Sequence, residues 1–540
     1  MKLQILLLSI TGMLFAATLL VPGEYSTIQQ AIDASANGDT VLVAAGTYDG
    51  PIGFNGKNIV VRSAAGPDLT LIRTFHEFYC VYIEDGEDNS ALLEGFRLLN
   101  QMTDDGDREN DASDQGDYGG GIYIHSASPT IRGNILDGCK PEMGAINAWY
   151  SSSLIESNEI TNNFNSGIYV AHQGTSGPIR IVGNVISGNN AGYGGGIRLQ
   201  DAWAEILGNE VYQNTTSGHG GGVDVTGDSV LIAANWVVEN YAAGYGGGIC
   251  LYSGTALVQG NIITGNYGSY GGGGIFDISS SSIELINNAI CYNAVALLEN
   301  RLGGGLYSER DSIFVDNCIF YGNTAFDGSQ ICIAGNLSFP GFGEFRYNDI
   351  QYGLDSLCIF GDSVAIPVVW GPGNIDADPL FESGPFGDFH LAYGSPCIDA
   401  GDPDPQYYDP EDPFNPGYAL WPAMGLLRND MGAFGGGGVG YWLGVEEETS
   451  PPLLGEALLR SFPNPFREGC TICFRLPEGS LVTLEVYDLS GRLISTLLDG
   501  PVTSPGTTAW LDGTGLPSGT YLILLRSGGL TESRRCVLLR

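Results

Sequence analysis

Apolar and polar residues alternate in short runs along most of the chain, and glycine and asparagine separate the runs. Ile122-Tyr123-Ile124 and Val223-Asp224-Val225 are typical examples. A period of two predicts β-strands, because successive side chains of a strand point to opposite faces. Glycine and asparagine adopt the positive φ angles of sharp corners more readily than other residues. The pattern therefore predicts short strands joined by tight turns.

These runs recur with a period of about 26 residues between Tyr118 and Asn323. An aliphatic residue marks each repeat, at Ile122, Ile146, Ile168, Ile197, Val223, Ile249, Ile275 and Leu306. An asparagine forms a second marker, at Asn134, Asn158, Asn184, Asn209, Asn235, Asn261, Asn288 and Asn317. A leucine-rich repeat has a similar period, but it needs regular leucines and usually a helical stretch. Strands without helices instead predict a coil of parallel strands, with about 4.8 Å between turns.

Equivalent side chains of such a coil should stack into columns. We expect the asparagines at one corner, each amide hydrogen-bonded to the next turn. A second expected column is aromatic and lies four positions before the aliphatic marker, at Tyr118, Phe164, Tyr193, His219 and Tyr245, with Tyr270 one position off. Stacked rings stabilise neighbouring turns, and exposed rings stack on sugars, so both roles remain open.

Two further stretches flank the repeat. Near its start, Ser26 and Gln29 predict the capping box of a short helix, whose apolar face of Ile28, Ala31 and Ile32 would close the open end of the coil. After it come 374–381, 395–401 and 428–435, which contain Asp-Pro-Leu-Phe, Ser-Pro-Cys-Ile-Asp-Ala-Gly and Arg-Asn-Asp-Met-Gly-Ala-Phe-Gly. Together with the repeat, these motifs resemble the pectin-lyase-like superfamily. The resemblance implies an all-β, right-handed parallel β-helix solenoid over residues 21–439, with a helical N-terminal cap and a closing segment.

The chain changes character after residue 439. Residues 440–460 read as a linker, and 461–540 read as alternating strands with glycine and proline turns about every ten residues, which predicts a small β-sandwich. The motifs Phe462-Pro463-Asn464-Pro465-Phe466 and Pro517-Ser518-Gly519-Thr520-Tyr521 resemble the C-terminal sorting domain of type IX-secreted proteins. The resemblance implies an immunoglobulin-like sandwich that engages an outer-membrane secretion machinery. It also implies a secreted or outer-surface location.

The composition of the chain limits the cellular compartments and the classes of partner that we expect. Lys2 followed by an apolar stretch predicts a signal peptide over residues 1–20. The chain has 22 lysines and arginines and 61 acidic residues, which gives a net charge of −39. Such a negative charge argues against a nucleic-acid partner. The eleven cysteines are an odd number and too sparse for a disulfide scaffold, so their pairing stays open.

Candidate site residues lie one and three positions after the aliphatic marker or in the aromatic column. The carbohydrate-binding candidates are Tyr123, Trp149, Tyr169, Tyr193, Tyr245 and Tyr252. Arg198 and Asp224 occupy equivalent positions of adjacent turns and should form an exposed ion pair near His219. These three residues are the catalytic candidates, since the resemblance to lyases implies a base such as arginine.

A densely acidic loop supplies the metal candidates. Asp104, Asp105, Asp107 and Asp111 offer closely spaced carboxylates. Ca²⁺ prefers such hard oxygen ligands, so it is the cofactor that this loop predicts, with a solvated loop as the alternative.

The sequence thus favours a secreted or cell-surface β-helix protein that binds extracellular polysaccharide along its long face. Two alternatives stay open. One is a polysaccharide lyase acting on uronic-acid polymers, and the other is a non-catalytic adhesin or structural surface rod, because one fold hosts many activities.

Overall fold

The computed structural model describes residues 16–438 and 460–538. Within these ranges it leaves out 75–78, 101–119, 174–176, 228, 253, 279–281, 339–340, 362–365, 384–386, 414, 463–468, 476–479, 489–491, 503–505, 518 and 529. Residues 1–15 of the predicted signal peptide 1–20 and residues 440–459 of the predicted linker 440–460 lie outside the described residues. Residues 18–20 belong to the first strand of the solenoid, and Arg460 begins the first strand of the C-terminal domain.

Residues 16–370 wind into a parallel β-solenoid, as the period predicts. In the described part of the chain, twelve turns each contribute one strand to each of three long sheets, here called sheets 1, 2 and 3. Sheet 1 has one further strand at each end, and every neighbouring pair of strands is parallel. Sheet 1 contains Thr18–Val21, Thr40–Val43, Val60–Ser63, Leu92–Glu94, Thr130–Arg132, Leu154–Glu156, Ile179–Val182, Ala204–Leu207, Val230–Ala233, Thr255–Gln259, Ser282–Ile286, Ser312–Asp316, Phe342–Arg346 and Val368–Trp370.

Sheets 2 and 3 each have twelve strands within the described residues. Sheet 2 contains Gly46–Asp49, Thr70–Thr74, Arg97–Asn100, Ile135–Asp137, Glu159–Thr161, Val185–Ser187, Glu210–Tyr212, Trp236–Val238, Ile262–Thr264, Ala289–Cys291, Ile319–Tyr321 and Asp349–Ile350. Sheet 3 contains Ile52–Gly53, Tyr79–Ile83, Gly120–His125, Gly144–Ser151, Ser166–Gln173, Ile197–Gln200, Val223–Thr226, Ile249–Tyr252, Ile275–Ile278, Leu306–Glu309, Ile331–Gly335 and Leu357–Gly361.

A short fourth sheet lies between sheets 2 and 3. It is formed by Asn190–Ala191, Thr215–Thr216, Tyr241–Ala242, Tyr267–Gly268 and Ala294–Val295. The remaining elements outside the C-terminal domain are the α-helix Ile28–Ala34 and the 3-10 helices Gly353–Ser356, Pro405–Tyr407 and Gly436–Gly438. None of the helices that the structure describes is long and apolar enough to cross a membrane.

The aliphatic marker residues fill the interior of the coil. From Ile122 to Leu306 each marker is the register partner of the next one in sheet 3, and every one is fully buried. They belong to one continuous core that runs from Leu19 to Ile366. No single turn could bury this surface, so the stacking of turns supplies the hydrophobic stabilisation.

The predicted asparagine column is confirmed and is fully buried. Each side-chain amide donates to the carboxamide oxygen of the next turn at 2.9–3.1 Å, from Asn134 to Asn288. The prediction that Asn317 is the last member of this column is wrong by one position. Cys318 takes that place, where its backbone N–H donates to Asn348 and so continues the column. Asn317 instead has a positive φ of 58° and accepts from the backbone N–H of Asp402.

A second buried asparagine column was not anticipated. It follows the strands of sheet 2 and consists of Asn163, Asn189, Asn214, Asn240, Asn266, Asn293 and Asn323. Hydrogen bonds of 2.8–3.1 Å join the side-chain amide of each to the carboxamide oxygen of the next. Each Nδ2 also donates to a backbone carbonyl, as Asn240 does to Val211 at 2.9 Å. The buried amides are thus satisfied at two corners of each turn that carries both columns, where backbone groups would otherwise lack partners.

The helix at the N-terminal end covers the coil, but its cap differs from the prediction. Ile28, Ala31 and Ile32 are buried as expected. The N-cap is Thr27, whose side chain accepts from the backbone N–H of Gln30, and not Ser26. Gln29 does not close a capping box, because its side chain binds the backbone of Gly53 in the neighbouring turn.

The closing segment, residues 374–438, folds back along the outer side of sheet 2. Its Phe389 and Met431 pack against Trp236 and Ile319 of that sheet. Asn287, at a corner of the coil, donates to the side chain of Asn429 at 2.9 Å. The segment therefore covers several turns of sheet 2.

The C-terminal domain has its own core. An antiparallel sheet of Arg460–Phe462, Gly469–Arg475 and Gly506–Asp512 faces a sheet of Leu493–Pro501, Leu481–Asp488, Gly519–Ser527 and Leu530–Leu538. Ile472 and Phe474 of the first sheet pack with Leu484 and Ile523 of the second. This is the small β-sandwich that the sequence predicts.

Truncation of one ladder asparagine should test what the columns contribute. Asn209→Ala removes the partner of the Asn184 amide and leaves buried polar groups unpaired, so we expect a loss of about 3 kcal/mol. Asn190→Ala is the matched control, because the Asn190 side chain is exposed, and should cost less than about 0.5 kcal/mol. Denaturation midpoints of the two variants give the comparison. Equal midpoints would contradict a stabilising ladder.

Candidate functional site

The outer side of sheet 3 carries a continuous set of aromatic rings over its longest strands. We call Tyr82, Tyr123, His125, Trp149, Tyr150 and His172 the aromatic face. Neighbouring ring centroids lie 5.3–6.2 Å apart along the path Tyr82, Tyr123, His125, Tyr150, His172, Trp149. All six rings keep solvent-exposed area, and Tyr150 is 48% exposed.

A buried amide orients Trp149 of this face. Asn147, which is 4% exposed, donates to the hydroxyl of Tyr79 at 2.7 Å and accepts from the indole N–H of Trp149 at 2.8 Å. The Trp149 ring also packs against Tyr169, with 5.6 Å between centroids. Trp149 is thus held by a hydrogen bond and by packing before any ligand arrives, which lowers the entropy cost of binding.

A second set of rings continues along the following turns. In this aromatic ladder, Tyr193, His219, Tyr245 and Tyr270 have successive centroid distances of 5.5–5.6 Å. Tyr270 belongs to the ladder although it lies one position off the predicted spacing. Phe164 pairs with Asn190 through its backbone and does not align with Tyr193, so its predicted place is wrong. Tyr118 lies outside the described residues.

Glycine corners cover the outward side of sheet 3 beyond the aromatic face. A Cβ atom on Gly220 would lie 2.6 Å from the Cβ of Asp224, and the φ of Gly220 is +65°. Equivalent glycines with positive φ lie over each outward residue of the column that we call the outer column: Arg198, Asp224, Cys250, Phe276, Tyr307 and Cys332. Only glycine fits so close to the strand that follows it. The corners therefore convert most of an outward column into a second buried layer.

This cover overturns the prediction of an exposed ion pair. Arg198 and Asp224 are register partners with 3.8 Å between Nε and Oδ2, but Asp224 is only 2% exposed. Burial raises the pKa of Asp224 to about 7, and the nearby Arg198 opposes the shift. The Arg198 guanidinium lies over the rings of Tyr169 and Tyr193, at 5.6 and 5.1 Å from their centroids, and keeps some exposed area.

His219 is held in a form that limits its chemistry. Its Nδ1 accepts from the backbone N–H of Tyr245 at 3.0 Å, and burial lowers the pKa of the imidazole. The ring is therefore neutral at neutral pH, with the proton on Nε2. Of the three catalytic candidates, Arg198 alone presents a charged group toward solvent.

The carbohydrate-binding candidates divide by exposure. Tyr123, Trp149, Tyr193, Tyr245 and Tyr252 keep exposed ring area, and their binding role stays a prediction. Tyr169 is 1% exposed, because Trp149 and Arg198 cover it, so the expectation that it stacks on a sugar is wrong. Tyr150 and His172 were missed. They sit at corners with φ near +51° and +56°, where strand alternation no longer tells which way a side chain points.

The predicted metal site cannot be placed. Asp104, Asp105, Asp107 and Asp111 lie outside the described residues. Among the residues that the structure does describe, no group of three or more histidine, cysteine or acidic side chains could hold a metal ion. Binding of Ca²⁺ by the acidic loop stays a prediction.

Comparison with known families agrees with this architecture. A family model described as a right-handed β-helix region matches residues 73–237. A model of the secretion system C-terminal sorting domain matches residues 460–538. No curated protein matches the chain.

The solenoid and the first match define the class: a right-handed parallel β-helix protein. The second match indicates where the protein is located. The C-terminal domain is a type IX sorting domain that addresses the chain to the secretion machinery, and this is a secreted or outer cell-surface β-helix protein.

The buried Asp224 should make stability depend on pH. Its folded pKa of about 7 lies above the usual 3.8, so the folded state holds a proton that the unfolded state releases. Stability at this site should therefore fall as the pH rises from about 4 to about 7, by on the order of 3 kcal/mol.

The test compares the Tm of the wild type with that of Asp224→Asn at pH 5 and pH 8. The variant cannot ionise, so it should gain stability relative to the wild type at the higher pH. Any constant cost of the substitution cancels in this difference. Parallel pH profiles would contradict the assignment.

Proposed function

We propose that the aromatic face binds an extracellular polysaccharide. The observation that carries the proposal is the unbroken series of solvent-accessible rings from Tyr82 to His172, in which Trp149 is held from below by Asn147. A sugar has apolar C–H faces and polar edges. Aromatic rings with hydroxyl, indole and imidazole groups at their margins match both parts.

The length of the ring series favours a polymer over a single sugar. Tyr82, Tyr123 and Asn147 are register partners on successive strands, and the aromatic ladder continues past Arg198 over the next turns. Turns are separated by about 4.8 Å. Rings therefore recur at short, regular intervals along the solenoid, which suits an extended chain of repeating units.

Charge favours a neutral polysaccharide. The chain carries a net charge of −39, which repels polyanions at long range. Acids also lie beside the face: Asp201 is 3.8 Å from His172, and the charge of Glu84 acts on Tyr123. Arg198 is a cation close to the rings, but it is already paired with Asp224.

A lyase remains the second candidate because Arg198 lies between the aromatic face and the ladder with part of its guanidinium exposed. Two features weigh against it. Asp224 is covered by Gly220, and the Nδ1 of His219 is occupied by a backbone N–H. Neither group is available to accept a proton from a bound sugar.

Removal of exposed rings should weaken binding. We expect the purified full chain to be retarded in gels that contain a neutral polysaccharide such as a β-glucan or a xylan. Trp149→Ala and Tyr150→Ala should each raise Kd about threefold to tenfold, since one stacked ring contributes about 0.5–1.5 kcal/mol. Tyr393→Ala is the matched control, because Tyr393 is 95% exposed and belongs to the closing segment. Retention of no polysaccharide at all would overturn the proposal and favour an adhesin or a structural rod.

A separate assay distinguishes binding from cleavage. Incubation with uronic-acid polymers and Ca²⁺ should give no increase in the ultraviolet absorbance of unsaturated uronides. An increase in the wild type that is lost in Arg198→Ala would establish the lyase and would contradict a binding role alone.

A further inference from the structure

Two cysteines lie side by side near the C-terminal end of the outer column. Cys332 and Cys358 are register partners on adjacent strands of sheet 3. Both are buried, at 0% and 5% exposure, and both carry free thiols in the structure. They belong to the apolar cluster that Phe276 and Tyr307 form on the outer side of the sheet.

The distance between the two residues suits a covalent link. Paired residues of adjacent parallel strands lie about 4.8 Å apart, and disulfides join Cα atoms that are about 4.4–6.8 Å apart. The side chains project from the same face, and the two thiols are hydrogen-bonded to each other, which raises the pKa of Cys332. The two sulfurs therefore already face each other across neighbouring strands.

One glycine corner encloses both side chains. A Cβ atom on Gly328 would lie 2.6 Å from the Cβ of Cys358 and 3.0 Å from that of Cys332. The pair thus sits under a single backbone cover. Burial under this corner and the raised pKa of Cys332 make its thiol a poor nucleophile, so we expect the bond to form before the corner closes.

Other buried cysteines are placed differently. Cys318 substitutes for a ladder asparagine, and its sulfur binds the carbonyl oxygens of Leu285 and Asp316 at 3.4 Å. Cys397 donates to the carboxylate of Asp349 at 3.3 Å. Cys250 shares the outer column, but Phe276 and Tyr307 separate it from Cys332.

We propose that Cys332 and Cys358 form a disulfide in the exported protein. The sorting domain directs the chain out of the reducing cytoplasm, where disulfides do not persist. One cysteine thiolate attacks an external disulfide oxidant and releases one thiol from it. The second thiolate then attacks the mixed disulfide and releases the other thiol. Two electrons and two protons pass to the oxidant, which becomes a dithiol, and one S–S bond forms.

This bond would fasten the last two turns of sheet 3. It closes a loop of about 26 residues and so restricts the unfolded chain. The turn that it secures lies at the exposed end of the stack, where no further turn of sheet 3 follows among the described residues. Fraying would start at such an end, since each turn is held by its neighbours.

Peptide mapping of the full chain tests the proposal. The protein is refolded with oxidised and reduced glutathione, alkylated without reduction and digested. We expect one cross-linked peptide that contains Cys332 and Cys358, about 2 Da lighter than its two parts. Alkylation after denaturation should modify two fewer residues than the eleven cysteines of the sequence. Reduction should lower Tm by about 4 °C.

Variants make the assignment specific. Cys332→Ser and Cys358→Ser should each abolish the cross-linked peptide and the effect of reductant on Tm. Cys250→Ser is the matched control from the same outer column and should preserve both. Alkylation of Cys332 and Cys358 in the oxidatively refolded wild type would overturn the proposal, and so would a link from either residue to another cysteine.

Discussion

The structure depends on one constraint: every turn must stack on the next in the same register. The backbone bonds of parallel sheets would tolerate a slip, but a slip of one residue would turn the aliphatic markers outward and the polar residues inward. The two asparagine columns oppose such a slip. Asn209 pairs with Asn235 and Asn240 pairs with Asn266, in each case through a buried carboxamide that finds its partner in only one register. Insertions are absorbed in loops, as where 30 residues separate Asn288 from Cys318.

The same register controls the surface. Because equivalent positions align, any residue type that recurs in the repeat becomes a column, and its neighbours decide what the column does. Rings form the aromatic face and the ladder, where edge and stacked contacts add stability. Arg198 above Asp224 gives an ion pair, and Cys332 beside Cys358 gives two thiols in contact. The contacts that a side chain makes on this surface thus depend on which residues occupy the equivalent positions of the neighbouring turns.

The fold could be predicted from the sequence because the stacking repeats a short pattern many times. The aliphatic markers and the asparagines up to Asn288 each identify one turn. A single error, such as Asn317 for Cys318, therefore does not change the predicted fold. The second asparagine column escaped notice because it shares the spacing of the first and lies only five residues away, as Asn209 and Asn214 show. The cap at Thr27 depends on a single backbone geometry, which no repetition reinforces.

The site could be predicted only in part, because burial on the outer side depends on where the corners run. Alternation correctly turns Asp224 and Phe276 outward, yet it cannot show that Gly220 and Gly272 fold over them. That path is set by positive φ angles at single glycines. The calcium prediction rests on a loop outside the described residues and remains open.

The glycine corners also explain why the proposed binding surface occupies one half of sheet 3. Gly144–Ser151 and Ser166–Gln173 are eight residues long and leave Trp149, Tyr150 and His172 in contact with solvent. From Ile197–Gln200 onward the triple-glycine corners shorten five successive strands to four residues and cover the outer column. The covered half gains a second apolar layer, and most of its outer column loses contact with solvent, while ladder rings such as Tyr193 and Tyr270 stay exposed above it. The open half keeps the aromatic face in contact with solvent, so the proposed recognition surface and the second buried layer occupy different parts of the solenoid.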